Sequence, residues 1–150
     1  MPDKKTIDRA KKDQRQGKSP STQAGKFVRE EIEHIREGKH GAKSAKQAIA
    51  IGLSKARRSG VDLKPPPKGR VSEKTRKSAE SAYKKGQAHE PISKARSKAG
   101  EKRLKKEPTT SVSRSALSKQ AKQAAKKRSS AERAKSAKKG AITRAKIKKG

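Results

Sequence analysis

Cysteine and tryptophan are absent from this 150-residue chain, and phenylalanine and tyrosine occur once each. Without cysteine there is no disulfide framework and no thiol chemistry. With so few aromatics there is no stacking platform of the kind that reads single-stranded bases. Phe27 falls on an apolar stripe, and Tyr83, beside Lys84 and Lys85, reads as an ordinary exposed tyrosine. No apolar run approaches a membrane span. The opening Met1–Asp8 lacks the apolar stretch of a secretory signal, and three Asp within the first 13 residues disagree with an organellar transit peptide. Pro2 excludes myristoylation. Glycines are scattered singly, so no phosphate-cradling loop is present. Acidic residues are scarce too, at 14 against 45 Lys and Arg, a net charge of +31.

Ile, Leu, Val and Phe together number 17, roughly a tenth of the chain, where a globular domain draws on about a fifth or more. Nine of the 17 lie in residues 22–63, while residues 64–150 carry 29 basic against 6 acidic residues. Core-forming ability and charge are thus separated along the chain. The expected fold is all-α: a small helical hairpin followed by a largely disordered or partly helical Lys/Ala/Ser-rich arm. The divisions are a disordered segment at 1–21, the hairpin at 22–63, a Pro-rich hinge at 64–70 and the basic low-complexity arm with transient helices at 71–150.

Ser21 or Thr22 is placed to cap the first hairpin helix. Ala24, Phe27, Val28, Ile32 and Ile35 then fall at three- and four-residue steps, one stripe of a 3.6-period helix. Lys26–Glu30 and Arg29–Glu33 pair at i, i+4 on the other side. Gly38 is a stop. Ser44 and Gln47 have capping-box spacing, and Ala45, Ala48, Ile49, Gly52, Leu53 and Ala56 form the second stripe, ended by Gly60. Gly52 on the apolar face implies either close approach of the neighbouring helix or simply a weaker second helix, by about 1 kcal/mol relative to Ala. Val61 and Leu63 supply a lid; a homodimer through residues 22–60 is the other route to a core. In the arm, helical stretches are expected at 72–88, 92–106 and 114–148, broken near Pro91 and Pro108. Like-charged pairs such as Lys122–Lys126 and Lys135–Lys139 oppose them, so folding is expected to be coupled to neutralisation by phosphate.

The distributed basic charge carries the functional reading. Solubility needs a net charge of roughly 2–8 on a small domain, far below +31. The candidate nucleic-acid contacts are Lys43, Lys46, Lys55, Arg57 and Arg58 on the hairpin. On the arm they are Lys102, Arg103, Lys105, Lys106, Lys126, Lys127, Arg128, Lys138, Lys139, Lys146, Lys148 and Lys149. Such residues neutralise phosphates and release counterions without reading sequence. Duplex DNA fits an aromatic-poor basic chain better than RNA. A sequence-specific helix-turn-helix is disfavoured because that motif sits in a bundle of three or more helices and no neighbour of the hairpin reads as a convincing third. The alternatives are an RNA- or ribosome-associated protein and an interaction module docking an acidic partner.

His34, His40 and His89 have no cysteine partners, and His34–His40 is not a usual ligand spacing, so no metal or other cofactor is expected. Glu30, Glu31, Glu33 and Glu37 read as surface ion-pair partners, because no core large enough to desolvate them is foreseen. No catalytic residue is expected, and the chain does not read as an enzyme. A membrane-surface role lacks the Trp, Phe and Leu face it needs.

The run from Phe27 to Gly38, Phe-Val-Arg-Glu-Glu-Ile-Glu-His-Ile-Arg-Glu-Gly, followed by Ser44-Ala-Lys-Gln-Ala-Ile-Ala-Ile-Gly-Leu-Ser-Lys-Ala-Arg-Arg-Ser-Gly60, resembles a family of small basic bacterial proteins. Their hallmark is a phrase close to KQAIAIALSEAR after a Glu-rich helix, and they are labelled as a domain of unknown function or as DNA-binding. The resemblance covers about 40 residues. This chain has Gly52 where Ala is commoner and Lys55 where an acidic residue is commoner. The remainder resembles bacterial linker-histone-like tails in composition. The resemblance implies a bacterial origin and a DNA-binding label, and together with the charge the expectation is a nucleoid-associated, histone-like protein of the bacterial cytoplasm.

Overall fold

A computed structural model describes residues 1–150 as seven α-helices and one 3-10 turn, with no strand. The helices are α1 (Lys4–Arg15), α2 (Pro20–Arg36), α3 (Ala45–Arg58), α4 (Glu73–Gln87), α5 (Lys94–Leu104), α6 (Arg114–Lys126) and α7 (Ser130–Lys149); the 3-10 turn is Thr110–Val112. Serine starts every helix after the first. Ser19, Ser44, Ser72, Ser93, Ser113 and Ser129 each accept a backbone N–H from the opening turn through their side chains. This satisfies a donor that the helix itself leaves unpaired. The first hairpin helix is therefore capped at Ser19, ahead of the expected Ser21 or Thr22, because Pro20 occupies the first helical position, where its missing N–H costs nothing. Ser129 and Glu132 complete a reciprocal capping box. At Ser44 the reciprocal bond is displaced by one residue: Gln47 Oε1 takes the Lys43 N–H at 2.6 Å.

The hairpin of α2 on α3 is present and carries two small cores. Ala10, Ala24, Phe27, Ala56 and Val61 form one, flanked by Ile7, Leu53 and Leu63; Ile35, Ala42, Ala48 and Val112 form the other, flanked by Ile32. Both stripes read from the sequence face inward, and Val61 and Leu63 act as the lid. Gly38 and Gly60 adopt positive φ (76° and 88°) as the stops.

Two expectations are corrected. Residues 1–21 are not a disordered segment: α1 packs on α2, burying Thr6, Ala10 and Asp13. Nor is the arm disordered. It is helical over nearly the expected stretches, with a break at residues 127–129 in the third. Ala, Lys, Arg and Gln have high helix propensity, and a serine cap contributes about 1 kcal/mol. Repulsion between like charges at i, i+4 costs only about 0.2–0.5 kcal/mol per pair. Local preference therefore outweighs repulsion.

The arm also returns to the hairpin. Beyond the Pro-rich hinge, α4 lies on α3, with Ala79, Ala82 and Gly86 buried. Residues 104–112 then form a strap across the α2–α3 loop. The Gly41 N–H donates to Leu104 O at 2.9 Å and the Ala42 N–H to Pro108 O at 3.0 Å. Val112 is fully buried, and the Arg36 guanidinium donates to its carbonyl. Only α5, α6 and α7 contain no buried residue.

Candidate nucleic-acid interface

Those three helices and the turns that follow them carry much of the free positive charge, and α1 adds Lys4, Lys5, Arg9, Lys11, Lys12 and Arg15, all exposed. Lys102, Arg103, Lys105, Lys106, Lys126, Lys127, Arg128, Lys138, Lys139, Lys146, Lys148 and Lys149 are all exposed. Among them only Lys105 meets a carboxylate, Glu101 at 3.0 Å; Lys105 holds the Glu101 carboxyl below its ordinary range by hydrogen bonding and charge. Arg128 donates to Glu132 O and Ser136 Oγ, bridging the break between α6 and α7. Glu132 is held low first by the Ser129 N–H and then by Arg70.

The hairpin cations divide into two groups. Lys43 and Lys46 are exposed at the start of α3. They share an open groove with Lys119, Gln120 and Gln123 of α6. Three ammonium groups from two elements thus border the N-terminal end of α3, which carries partial positive charge of its own. Lys119 continues along α6 with Ser115, Ser118, Lys122 and Lys126, which line a second shallow groove. Lys119 and Lys122 were not among the expected contacts. Their signal was the spacing 115, 118, 119, 122, 126, a polar stripe at helical period.

Lys55, Arg57 and Arg58 are not available in the expected way. The half-buried Lys55 places its Nζ 2.6 Å from Oε2 of the fully buried Glu31. Arg57 is 8% exposed and donates to Leu63 O and Lys64 O, tying the lid to α3; burial lowers its pKa. Arg58 donates to Glu90 O and Pro91 O, holding the end of α4. The expectation of phosphate contact here is revised, because tertiary packing supplies acceptors that a hairpin alone would lack. Tyr83 is likewise engaged: its hydroxyl donates to Asp62 Oδ1 at 2.6 Å, which raises its pKa.

The glutamates of α2 separate too. Glu33 and Glu37 are exposed partners of Arg29 and Lys39. Glu30 and Glu31 are buried, at 5% and 0% exposure, which corrects their assignment to the surface. Glu30 does not pair with Lys26. Its Oε1 accepts the Asp3 N–H at 2.6 Å, while Lys26 reaches Asp13 Oδ2 at 3.2 Å. Asp13 also accepts from Lys18 at 2.7 Å. Burial pushes the Asp13 carboxyl up, but hydrogen bonds and charge from Lys18 and Lys26 outweigh it, and its pKa lies below the ordinary value.

Glu31 faces two cations or potential cations. Lys55 holds Oε2, and His40 Nε2 lies 3.1 Å from Oε1. His34, on the same face of α2, has its ring 6.4 Å from that of His40 and its Nε2 3.7 Å from Asp3 Oδ2. The unusual sequence spacing of His34 and His40 does not keep them apart in space. The Gly38 turn folds the chain back and brings the two rings together. No helix is long and apolar enough to cross a membrane. Comparison with family models, with curated proteins and with solved structures finds no match for this chain.

Proposed function

We propose that this protein binds nucleic acid without sequence preference, duplex DNA before RNA, by neutralising backbone phosphates. In this reading it is a nucleoid-associated, histone-like protein of a bacterial cytoplasm and not an enzyme. The observation that carries the reading is the distribution of charge. Exposed Lys and Arg without a carboxylate partner lie on α1 as well as on α5–α7, and the last three helices add theirs from segments that bury nothing. Helices of this kind contribute no core, so their cations have no internal partner to serve. A polyanion supplies the missing counter-charge and releases condensed cations on binding. Near-absence of aromatics favours backbone contact over base stacking.

The test is the salt dependence of binding to duplex DNA, single-stranded DNA and structured RNA. If about 8 phosphates are contacted on duplex DNA, log K falls against log salt with slope near −7. A slope near zero overturns the mechanism, and tighter binding to RNA at matched salt reassigns the partner.

A further inference from the structure

We propose that Glu31, His34 and His40 form a binding site for one divalent transition-metal ion of the Zn2+ class, set in the junction between α2 and the loop that follows it. Donor atoms of the three residues lie within 4.8 Å of one another, and all three side chains are shielded from solvent. A tetrahedral ion with bonds of about 2.0–2.1 Å spaces its ligands by about 3.3 Å. His40 Nε2 and Glu31 Oε1, at 3.1 Å, already have that spacing.

The hydrogen bonds around the site point inward to a cation. His40 Nδ1 lies 3.0 Å from Gly41 O, a carbonyl that can only accept, so Nδ1 carries the ring proton. In the neutral ring, Nε2 then presents a lone pair to Glu31 Oε1, which is buried and accepts no hydrogen bond. Two lone pairs directed at each other across 3.1 Å repel unless positive charge lies between them. A ligating histidine held by its second nitrogen on a backbone carbonyl is the usual supporting arrangement at metal sites. Lys55 engages the other Glu31 oxygen and fixes the carboxylate with Oε1 turned to the histidines. Glu31 and His34 stand at i, i+3 on α2, one face of the helix. Glu30 Oε2, also buried and unpartnered, lies with Asp3 and His34 in an adjoining set of donors and adds negative charge beside the ion. The donor set of two imidazoles and a carboxylate suits Zn2+ and its neighbours over Ca2+ or Mg2+.

The placement gives the ion a consequence. His40 adjoins Gly41, whose N–H holds the strap at Leu104 O, and a Cβ at Gly41 would fall 1.9 Å from Glu107 O. An ion fixing His40 against α2 therefore fastens the loop on which the arm docks.

The test uses the full-length, untagged protein freed of nucleic acid, titrated with Zn2+ by calorimetry and with Co2+ by visible absorption. One ion should bind per chain, with a Co2+ d–d spectrum of low coordination number. The melting temperature should rise with Zn2+ and return with EDTA. In NMR of the wild-type protein, the ring nitrogens of His34 and His40 should shift and those of His89 should not, a readout that needs no variant. His34→Ala, His40→Ala and Glu31→Gln should each weaken binding by at least the roughly 10- to 100-fold that loss of a supporting partner costs, and His89→Ala should leave it unchanged. Absence of binding, binding that survives His34→Ala/His40→Ala together, or NMR shifts confined to His89 would overturn the proposal and leave a proton as the cation between His40 and Glu31.

Discussion

A methyl group at position 52 would sit 2.6 Å from Val28 Cα and 2.9 Å from Val28 N, so α2 and α3 touch backbone to backbone there. Alanine would gain about 1 kcal/mol of helix propensity over glycine. It would also push two helices apart, and overpacking typically costs about 1–3 kcal/mol. Because the obstacle is backbone and not a flexible side chain, the clash dominates: Gly52→Ala should destabilise the protein, read as a lower urea midpoint. This contact was half legible in the sequence: a glycine among Ala48, Ile49, Leu53 and Ala56 on an apolar stripe either admits a neighbouring backbone or weakens its helix, and the packing selects the first. Asp13 was not legible. It is 4% exposed, and nothing local to a helix of Lys, Arg and Gln marks one aspartate as inward. Its pKa lies below the ordinary 3.8 in the folded protein. A depressed carboxyl pKa contributes stability above the unfolded value and loses it as pH falls through the folded one. Thermal stability should therefore drop below about pH 4, and Asp13→Asn should remove part of that dependence. At neutral pH the same variant should cost about 1–3 kcal/mol, because Lys18 and Lys26 lose the shared negative charge and one of the two oxygens they hold becomes an amide nitrogen that cannot accept.

After α1, helix positions were readable at the scale of elements because the signals are local; α1 itself was missed, since Ile7 is its only large apolar residue and sets no period. Serine caps, glycine stops, proline breaks and 3.6-residue periodicity all act within one turn or two. What escaped is what joins the elements. Val112 lies in the polar run Thr109–Ser113, where no period singles it out, yet it is fully buried between Ile35, Ala42 and Ala48. Gly86 likewise reads as a weak point in α4, whereas a Cβ there would meet Arg57 O at 1.7 Å. Both are long-range contacts set by the return of the chain. The buried Glu31 has the same origin, since Lys55 and His40 come from other elements. Val112→Ala should test the strap directly. Removing two buried methyl groups should cost about 1–3 kcal/mol. Hydrogen exchange should quicken at the Gly41 and Ala42 amides, which donate to Leu104 O and Pro108 O, while amides in α1 keep their protection. Equal loss of protection throughout would mean that strap and hairpin open as one unit.

For the molecule as a whole, positive charge is spread over body and arm, but packing is confined to the body, and that difference can be measured. The body spans α1–α4 and the strap; it holds both apolar clusters and the buried ion pairs of Asp13 and Glu31. The 20-residue α7 has no buried side chain, but it carries Arg133, Lys135, Lys138, Lys139, Arg144, Lys146, Lys148 and Lys149 against a single Glu132. Its removal exposes no core, so a chain ending at Ser129 should melt at the same temperature as the full protein. The same truncation removes phosphate contacts. If α7 supplies three of about eight, the slope of log K against log salt on duplex DNA should change from about −7 to about −4.5. Val112→Ala should do the reverse, lowering the melting temperature and leaving the slope in place, because it deletes no cation. Should truncation instead lower the melting temperature and leave the slope untouched, α7 would be part of the body and the phosphate contacts would lie in the grooves around Lys43, Lys46 and Lys119.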